Sequence, residues 1–230
     1  PEAQDIVLVV VDDGTLRRLT MRWPYPRSLY AEALKRLKSF SPKVIGLDFV
    51  FSGNDFLSES DETFAQALRE AGNVVMATHW SSEGEVGPSP LLREAAYGVG
   101  VVDKPRDPDR VIRRSYVTFP APSETLRSWE FEILSKAFPP RLMRDVPRDR
   151  PLLIDYRLRI GQFQQMPFWK LFEIEIDNPP APNRIFLVGL TSEAFHDIHA
   201  SPLGSMPGLG VNANTLLTMM SQTFFVFAPR

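Results

Sequence analysis

Four aspartates of the chain lie where strands of a parallel sheet are predicted to end. Asp12 and Asp13 follow the run "IVLVVV", Asp48 lies within "KVIGLDFVF", and Asp197 comes shortly after "NRIFLVGL". Open α/β sheets bind ligands outside the carboxyl ends of their strands, and clustered carboxylates there could hold Mg²⁺ or Ca²⁺. The simpler alternative is that these carboxylates cap helices or pair with arginines.

The stretch "WPYPR" connects the first predicted strand to the first long helix. Its two prolines restrict the backbone, and its two aromatic side chains, Trp23 among them, can pack the loop onto the sheet. Such a loop would aim the Arg27 guanidinium at the acidic strand ends, where a carboxylate can accept it in a bidentate contact. We therefore predict an ion pair of Arg27 with Asp12, Asp13 or Asp48.

The histidines and a pair of arginines offer weaker signals. His196 and His199 are three residues apart in "HDIH", a spacing that zinc can use, but zinc needs further ligands and the one other histidine is His79. Exposed loop histidines are therefore the simpler interpretation, and whether the chain binds a metal stays open. Arg113 and Arg114 fall on a predicted strand, where they would point to opposite faces, one toward the sheet interior or a cleft and the other toward solvent.

Composition narrows the class of protein. The chain has 230 residues, 43% apolar and 23% charged, with a formal net charge of −2 and no cysteine. Basic residues are scattered, which argues against nucleic-acid binding, and the absence of cysteine excludes disulfides and thiolate chemistry. No apolar run approaches the roughly 20 residues of a membrane-spanning helix. Because the chain starts at a proline and ends in "TFFVFAPR", we expect a domain excised from a longer protein.

The hydrophobic pattern predicts the elements that position these residues. Short β-branched runs alternate with amphipathic segments, which indicates βαβ units with right-handed crossovers. We predict one α/β domain over residues 1–230, with a mostly parallel central sheet flanked by helices and an inserted antiparallel portion around residues 98–119. In that portion, "GVGVVD" and "RVIRRSYVTF" are predicted to pair as a hairpin through "KPRDPD".

The ordered series of motifs resembles the second type of CHASE domain, a cyclase- and histidine-kinase-associated sensory extracellular module. The resemblance covers nearly the whole chain, through "IVLVVVDD", "WPYPR", "KVIGLDFVF", "DETFAQAL", "GNVV", "GVGVVD…DRVIRR", "PLLIDY", "RIFLVGLT" and "HDIHASPLG…PGLGVNANTLL". Residue by residue, it matches the family's motifs at Asp12, Trp23 to Arg27, Asp48, Asp61, Arg113 or Arg114, Asp197 and Asn214. Serine stands at position 201 where the family has threonine, and "VNAN" replaces a histidine-containing form.

The resemblance implies an extracytoplasmic sensory domain of a bacterial membrane receptor, with no catalytic residue or cofactor of its own. Its ligand would be a small molecule, an ion or a protein, its partners the receptor's own transmembrane helices and a second copy of the chain, and its output a cytoplasmic cyclase or kinase. The ligand-binding or structural polar cluster would comprise Asp12, Asp13, Arg27, Asp48 and Asp197, with Trp23, Arg113, Arg114 and His199 as secondary candidates. Two alternatives stay open: a metal-dependent hydrolase or phosphotransfer enzyme that uses the four aspartates, and a dimerisation module without a ligand.

Overall fold

The computed structural model describes residues 2–56, 59–120 and 125–224. Its strands are β1 (Ile6–Val11), β2 (Val44–Leu47), β3 (Val74–Ser81), β4 (Gly84–Val86), β5 (Gly98–Val101), β6 (Arg114–Ser115), β7 (Thr118–Pro120), β8 (Thr125–Arg127), β9 (Leu152–Leu153), β10 (Gln164–Pro167), β11 (Ile185–Leu190), β12 (Ile198–Ser201) and β13 (Gly204–Pro207). Its α-helices are α1 (Asp13–Arg18), α2 (Arg27–Lys38), α3 (Ser60–Ala71), α4 (Pro90–Ala95), α5 (Trp129–Ala137) and α6 (Gly208–Ser221). Short 3₁₀ segments span Ala3–Asp5, Pro140–Met143, Ile160–Gln162, Phe168–Phe172 and Glu193–Phe195.

The central sheet has seven strands and is mostly parallel, as predicted. Six strands run parallel in the order β10-β1-β11-β2-β3-β5, and β4 pairs antiparallel with the end of β3. Every residue of β1 and β2 is buried. This is the pattern expected of parallel strands that are covered on both faces.

Helices cover both faces of this sheet. On one face, Val7, Val9 and Val188 belong to a buried cluster with Leu34 of α2 and Phe64 of α3, and α4 lies on the same side. On the other face, alternate residues of the same strands form a second cluster with α5 and α6. The result is a three-layer α/β/α arrangement in which side chains alternate between the two cores.

Helix α5 approaches the sheet closely because two strands carry glycine beneath it. A Cβ atom at Gly100 would lie 2.5 Å from the Cα of Trp129, and one at Gly46 would lie 2.5 Å from the indole ring of Trp129. Trp129 is fully buried, and its indole N–H donates to the carbonyl of Val75 at 3.3 Å. The position of α5 matters for the site, because the next residue of this helix, Glu130, holds a buried charge below the cleft.

The antiparallel portion differs from the prediction. Residues 98–101 form β5 of the central sheet, paired in parallel with β3, and the predicted hairpin with "RVIRRSYVTF" is wrong. The antiparallel pairs are instead β6 with β9 and β7 with β8. Beside β3, the residues "GVGV" can form the hydrogen bonds of a parallel strand. The prolines of "KPRDPD" lack the backbone N–H that a strand needs, so this segment connects to the other layer without regular structure.

Both ends of the described chain pack against the second core. Ala3, just before β1, and Phe224, just after α6, contact the same buried cluster. Helix α6 begins at the carboxyl edge of the sheet, packs along β11, and at 14 residues is about 21 Å long. It therefore returns the chain to the amino edge, where β1 begins.

Candidate functional site

A cleft of about 830 Å³ opens at the carboxyl ends of the central strands. Its walls come from the "WPYPR" loop, from residues 48–56 after β2, from residues 102–106 after β5, and from the first turn of α6. After β2 the chain continues to α3 on one face of the sheet, whereas after β11 it continues to α6 on the other face. A crevice between strands whose connections diverge in this way is the usual ligand site of an open α/β sheet.

The "WPYPR" loop forms the aromatic wall of the cleft. The ring of Trp23 lies 5.1 Å from Tyr25, 6.1 Å from Phe49 and 4.6 Å from Phe195, measured between ring centroids. The Trp23–Pro24 peptide bond is cis. Tyr25 is 4% exposed and lines the cleft, and its buried hydroxyl has no hydrogen-bond partner within the described residues.

The predicted ion-pair partners of Arg27 are wrong. The buried guanidinium pairs with Asp61 of α3 and donates to the carbonyls of Ser52 at 3.0 Å and Gly53 at 2.9 Å. The backbone N–H of Arg27 donates to Asp55 at 2.7 Å. Helices α2 and α3 both begin at the carboxyl edge, so Asp61 in the first turn of α3 lies closer to Arg27 than the strand ends do.

Asp12 and Asp13 lie outside the cleft and act locally. Asp12 is the N-cap of α1 and accepts hydrogen bonds from the backbone N–H and the hydroxyl of Thr15, both at 2.7 Å. Asp13 accepts a hydrogen bond from the hydroxyl of Ser192, which follows β11. Strand β11 separates β1 from β2, so the predicted cluster of four aspartates divides into two pairs.

Asp48 and Asp197 form the acidic floor of the cleft. Asp48 accepts a hydrogen bond from the side-chain amide of Asn212 in α6 at 2.9 Å. Burial, reinforced by the negative charge of Asp197, raises the pKa of Asp48 to about 7, although Asn212 and Lys104 act in the opposite direction. Asp197 rests against the start of α6, where a Cβ at Gly208 would lie 2.5 Å from its carboxylate. Only glycine lets the carboxylate approach the helix N-terminus this closely, a position that favours negative charge.

Two histidines that line the cleft contact carboxylates. The Nε2 atom of His199 lies 2.9 Å from the carboxylate of Asp197, and the guanidinium of Arg106 lies 3.3 Å from its Nδ1. Because a guanidinium can only donate, Nδ1 accepts and Nε2 carries the proton that is donated to Asp197. At the opposite rim, a hydrogen bond to Asp103 at 3.1 Å raises the pKa of His79.

A buried ion pair lies beside this acidic floor. The ammonium of Lys104 is 2.8 Å from a carboxylate oxygen of Glu130, and their side chains are 3% and 0% exposed. Lys104 also donates to the carbonyl of Val102 at 2.8 Å. Glu130 lies in the first turn of α5, where the helix dipole favours a carboxylate. The pair therefore ties the loop after β5 to the second helical layer.

The remaining sequence candidates lie elsewhere. Arg113 and Arg114 both pair with Asp107, at 3.0 Å and 3.1 Å, so the prediction that they point to opposite faces is wrong. They do not line the cleft, and only Arg114 lies in a strand because β6 is two residues long. His196 is a left-handed residue at the end of a 3₁₀ turn. Within residues 2–56, 59–120 and 125–224, no three histidine or acidic side chains converge in a way that could hold a metal ion.

Sequence reasoning located part of the cleft and missed the rest. Of the proposed residues, the structure brings together Trp23, Arg27, Asp48, Asp197 and His199. It adds residues that the sequence analysis did not assign to the site, namely Tyr25, His79, Asp103, Lys104, Arg106 and Asn212. A signal for Asn212 was present, since "VNAN" follows the glycine-rich segment at a predicted helix start. Lys104 carried no such signal, because its partner is 26 residues away.

This combination defines an α/β domain with a ligand-sized cleft at the carboxyl edge of a parallel sheet. The chain belongs to the CHASE2 domain family, whose model matches residues 1–229. CHASE2 domains are extracytoplasmic sensory modules and are not catalytic. No curated protein and no solved structure was found to match the chain. In the part of the chain that the structure describes, no helix is both long and apolar enough to cross a membrane.

The raised pKa of Asp48 predicts a pH-dependent effect on stability. Its pKa is about 7 in the folded protein against an ordinary value of 3.8, so the folded state holds a proton that the unfolded state releases. The contribution of Asp48 to stability is therefore complete below about pH 4 and is lost as the pH rises through 7. Near pH 4, Asp48→Asn and the parent protein should have the same free energy of unfolding. At pH 8, the free energy of unfolding of Asp48→Asn should be higher by about 2 kcal/mol. This figure is roughly half of the full linkage value, because the side chain is partly solvated. Urea denaturation across pH 4–8 measures this difference, and an Asp48→Asn protein less stable than the parent at pH 8 would contradict it.

Proposed function

We propose that the domain is the signal-input module of a bacterial transmembrane receptor and that the cleft binds its ligand. The receptor's membrane helices would attach at the amino edge of the sheet, opposite the cleft. They would couple the domain to a cytoplasmic cyclase or kinase, in a receptor that pairs two copies of the chain. Membership of a sensory family and the position of Ala3 and Phe224, near the two ends of the described residues, support the proposal.

The observation that carries the proposal is the course of helix α6. Its first turn contributes Gly208, Val211 and Asn212 to the cleft, and its last turn leads to the C-terminal end of the described chain. The helix is buried from Gly208 to Met220, so a displacement at its start is transmitted along a packed element. Near its end, Gln222 donates to the carbonyl of Leu142 at 3.0 Å and Thr223 contacts Arg157.

Neither alternative from the sequence has comparable support. A metal-dependent hydrolase would use the four aspartates together, but Asp12 and Asp13 are engaged at α1 and at Ser192. A dimerisation module without a ligand does not account for a cleft whose floor holds two carboxylates. An 830 Å³ cleft with an apolar wall and a few convergent polar groups is typical of small-molecule sites.

Thermal unfolding of the purified domain tests the proposal. Small amines, anions, amino acids and sugars would be compared, each at about 100 times its dissociation constant. A ligand at that concentration adds about 2.7 kcal/mol, which for a domain of this size raises Tm by about 5–10 °C. The shift should disappear in Asn212→Leu and persist in Asp149→Asn, a variant in an exposed loop outside the cleft. A panel in which no compound gives a shift dependent on Asn212 would overturn the proposal.

A further inference from the structure

The positive charges around the cleft are already committed to protein partners. Arg27 pairs with Asp61, and Lys104 pairs with Glu130 and donates to a backbone carbonyl. Arg106 is exposed, lines the cleft and contacts the ring of His199 at 3.3 Å. An anionic ligand would therefore find Arg27 and Lys104 already paired with carboxylates, and among the described arginines and lysines of the cleft it could pair only with Arg106.

The two carboxylates of the floor, in contrast, are held by an amide and an imidazole. Asp48 accepts one amide hydrogen bond from Asn212, and Asp197 has one contact with the imidazole of His199. In the described part of the chain, no arginine or lysine lies within ion-pair distance of either carboxylate. Arg27 and Lys104 form their ion pairs with other residues. Burial favours the protonated form of Asp48, and the negative charge of Asp197 adds to this effect.

An aromatic wall stands beside these two carboxylates. Trp23, Tyr25, Tyr30, Phe49 and Phe51 line the cleft and contact one another, with centroid distances from 4.9 to 6.1 Å among them. The electron-rich faces of such rings attract cations as well as apolar groups. The buried hydroxyl of Tyr25, which has no partner among the described residues, supplies a further polar contact on this wall.

We infer that the ligand of the cleft is a small organic cation, with its ammonium or guanidinium group between Asp48 and Asp197 and its apolar body against the aromatic wall. The inference rests on the proposed function and specifies its ligand class. The cation takes the place of the proton that burial favours on Asp48. The cleft, at about 830 Å³, has ample room for a cation with an aromatic body.

Isothermal titration calorimetry of the domain with three matched compounds tests the charge requirement. 2-Phenylethylamine, 2-phenylethanol and phenylacetate share one ring and differ in the charge of the terminal group, and agmatine probes the guanidinium option. We expect binding of at least one of the two cations, at least tenfold weaker binding of the alcohol, and no binding of phenylacetate. Asp48→Asn and Asp197→Asn should each weaken the cation by tenfold or more, and Asp149→Asn should leave its affinity unchanged.

The pH dependence of the same titration provides a second readout. Because the cation displaces a proton from Asp48, its affinity should be about tenfold higher at pH 8 than at pH 6, a range over which these amines stay charged. Asp48→Asn should abolish this pH dependence. A binding affinity that is equal at the two pH values in the parent protein would count against the inference.

The possible results separate the ligand class from the proposed function. If phenylacetate, phenylethanol, a sugar, Mg²⁺ or Ca²⁺ binds the cleft in an Asn212-dependent manner and the cations do not, the cation inference is wrong and the sensory cleft stands. If none of these probes binds, both the inference and the proposed function fail. If cations bind but Asp48→Asn and Asp197→Asn leave the affinity unchanged, binding lies outside the cleft floor and the inference is overturned.

Discussion

Lys104→Met should lower the free energy of unfolding by about 3–5 kcal/mol at pH 7, the usual cost of removing one partner from a buried ion pair. Methionine keeps the length and the apolar stem of lysine, so the loss isolates the charge. Glu130 would stay at 0% exposure with its carboxylate unpaired, since neither of its oxygens accepts a hydrogen bond within the described residues and Lys104 is its one ion-pair partner there. Urea denaturation followed by far-UV circular dichroism measures the change.

A double variant distinguishes this mechanism from a simple packing defect. Lys104→Met combined with Glu130→Gln removes both charges, and most of the lost stability should return because neutral groups of similar shape are tolerated at such sites. Lys35→Met, on the exposed side of α2, should change stability by less than about 0.5 kcal/mol. A double variant as unstable as the single one would show that the charge of Glu130 is not the cause.

The local elements of the fold were predictable from the sequence because their signals are local. "IVLVVV" forms β1 without adjustment, and Gly72 ends α3 in the left-handed conformation that the C-cap position favours. Strand β10 was missed, because "QQMP" lacks the β-branched pattern of a strand and is held by pairing with β1. The hairpin error has the same origin, since β5 takes its partner from the distant strand β3.

The pairing of charges in the site could not be predicted, because it depends on distances between elements. Ser60 and Asp61 are residue types that favour the N-cap position of a helix, yet α3 starts at Ser60 and both side chains contact the start of α2. Polar side chains at the start of a helix do not indicate which neighbouring element will supply their hydrogen-bond and ion-pair partners. Strand order places α2 beside α3, and the order could not be read from the sequence.

Arg27→Met should cost about 3–5 kcal/mol of stability, because Asp61 would remain buried without its cation and two carbonyls would lose their donors. Arg27→Lys should recover only part of this loss. A lysine keeps the charge, but it cannot reach Asp61 and the carbonyls of Ser52 and Gly53 with one planar group. Arg69→Met, in the exposed last turn of α3, is the matched control and should stay within about 0.5 kcal/mol of the parent protein.

The same variant distinguishes a structural arginine from a ligand-binding one. Arg27 holds the loop of residues 52–55 against the start of α2, and that loop is part of the cleft wall. If the arginine acts through this loop, Arg27→Lys should lower the ligand affinity only to the extent that it loosens the loop. Asp61→Asn should then lower the affinity by a similar factor, because it breaks the same ion pair. If Arg27→Lys abolishes binding in a domain that stays folded while Asp61→Asn does not, the guanidinium contacts the ligand directly, and the floor aspartates would share recognition with it.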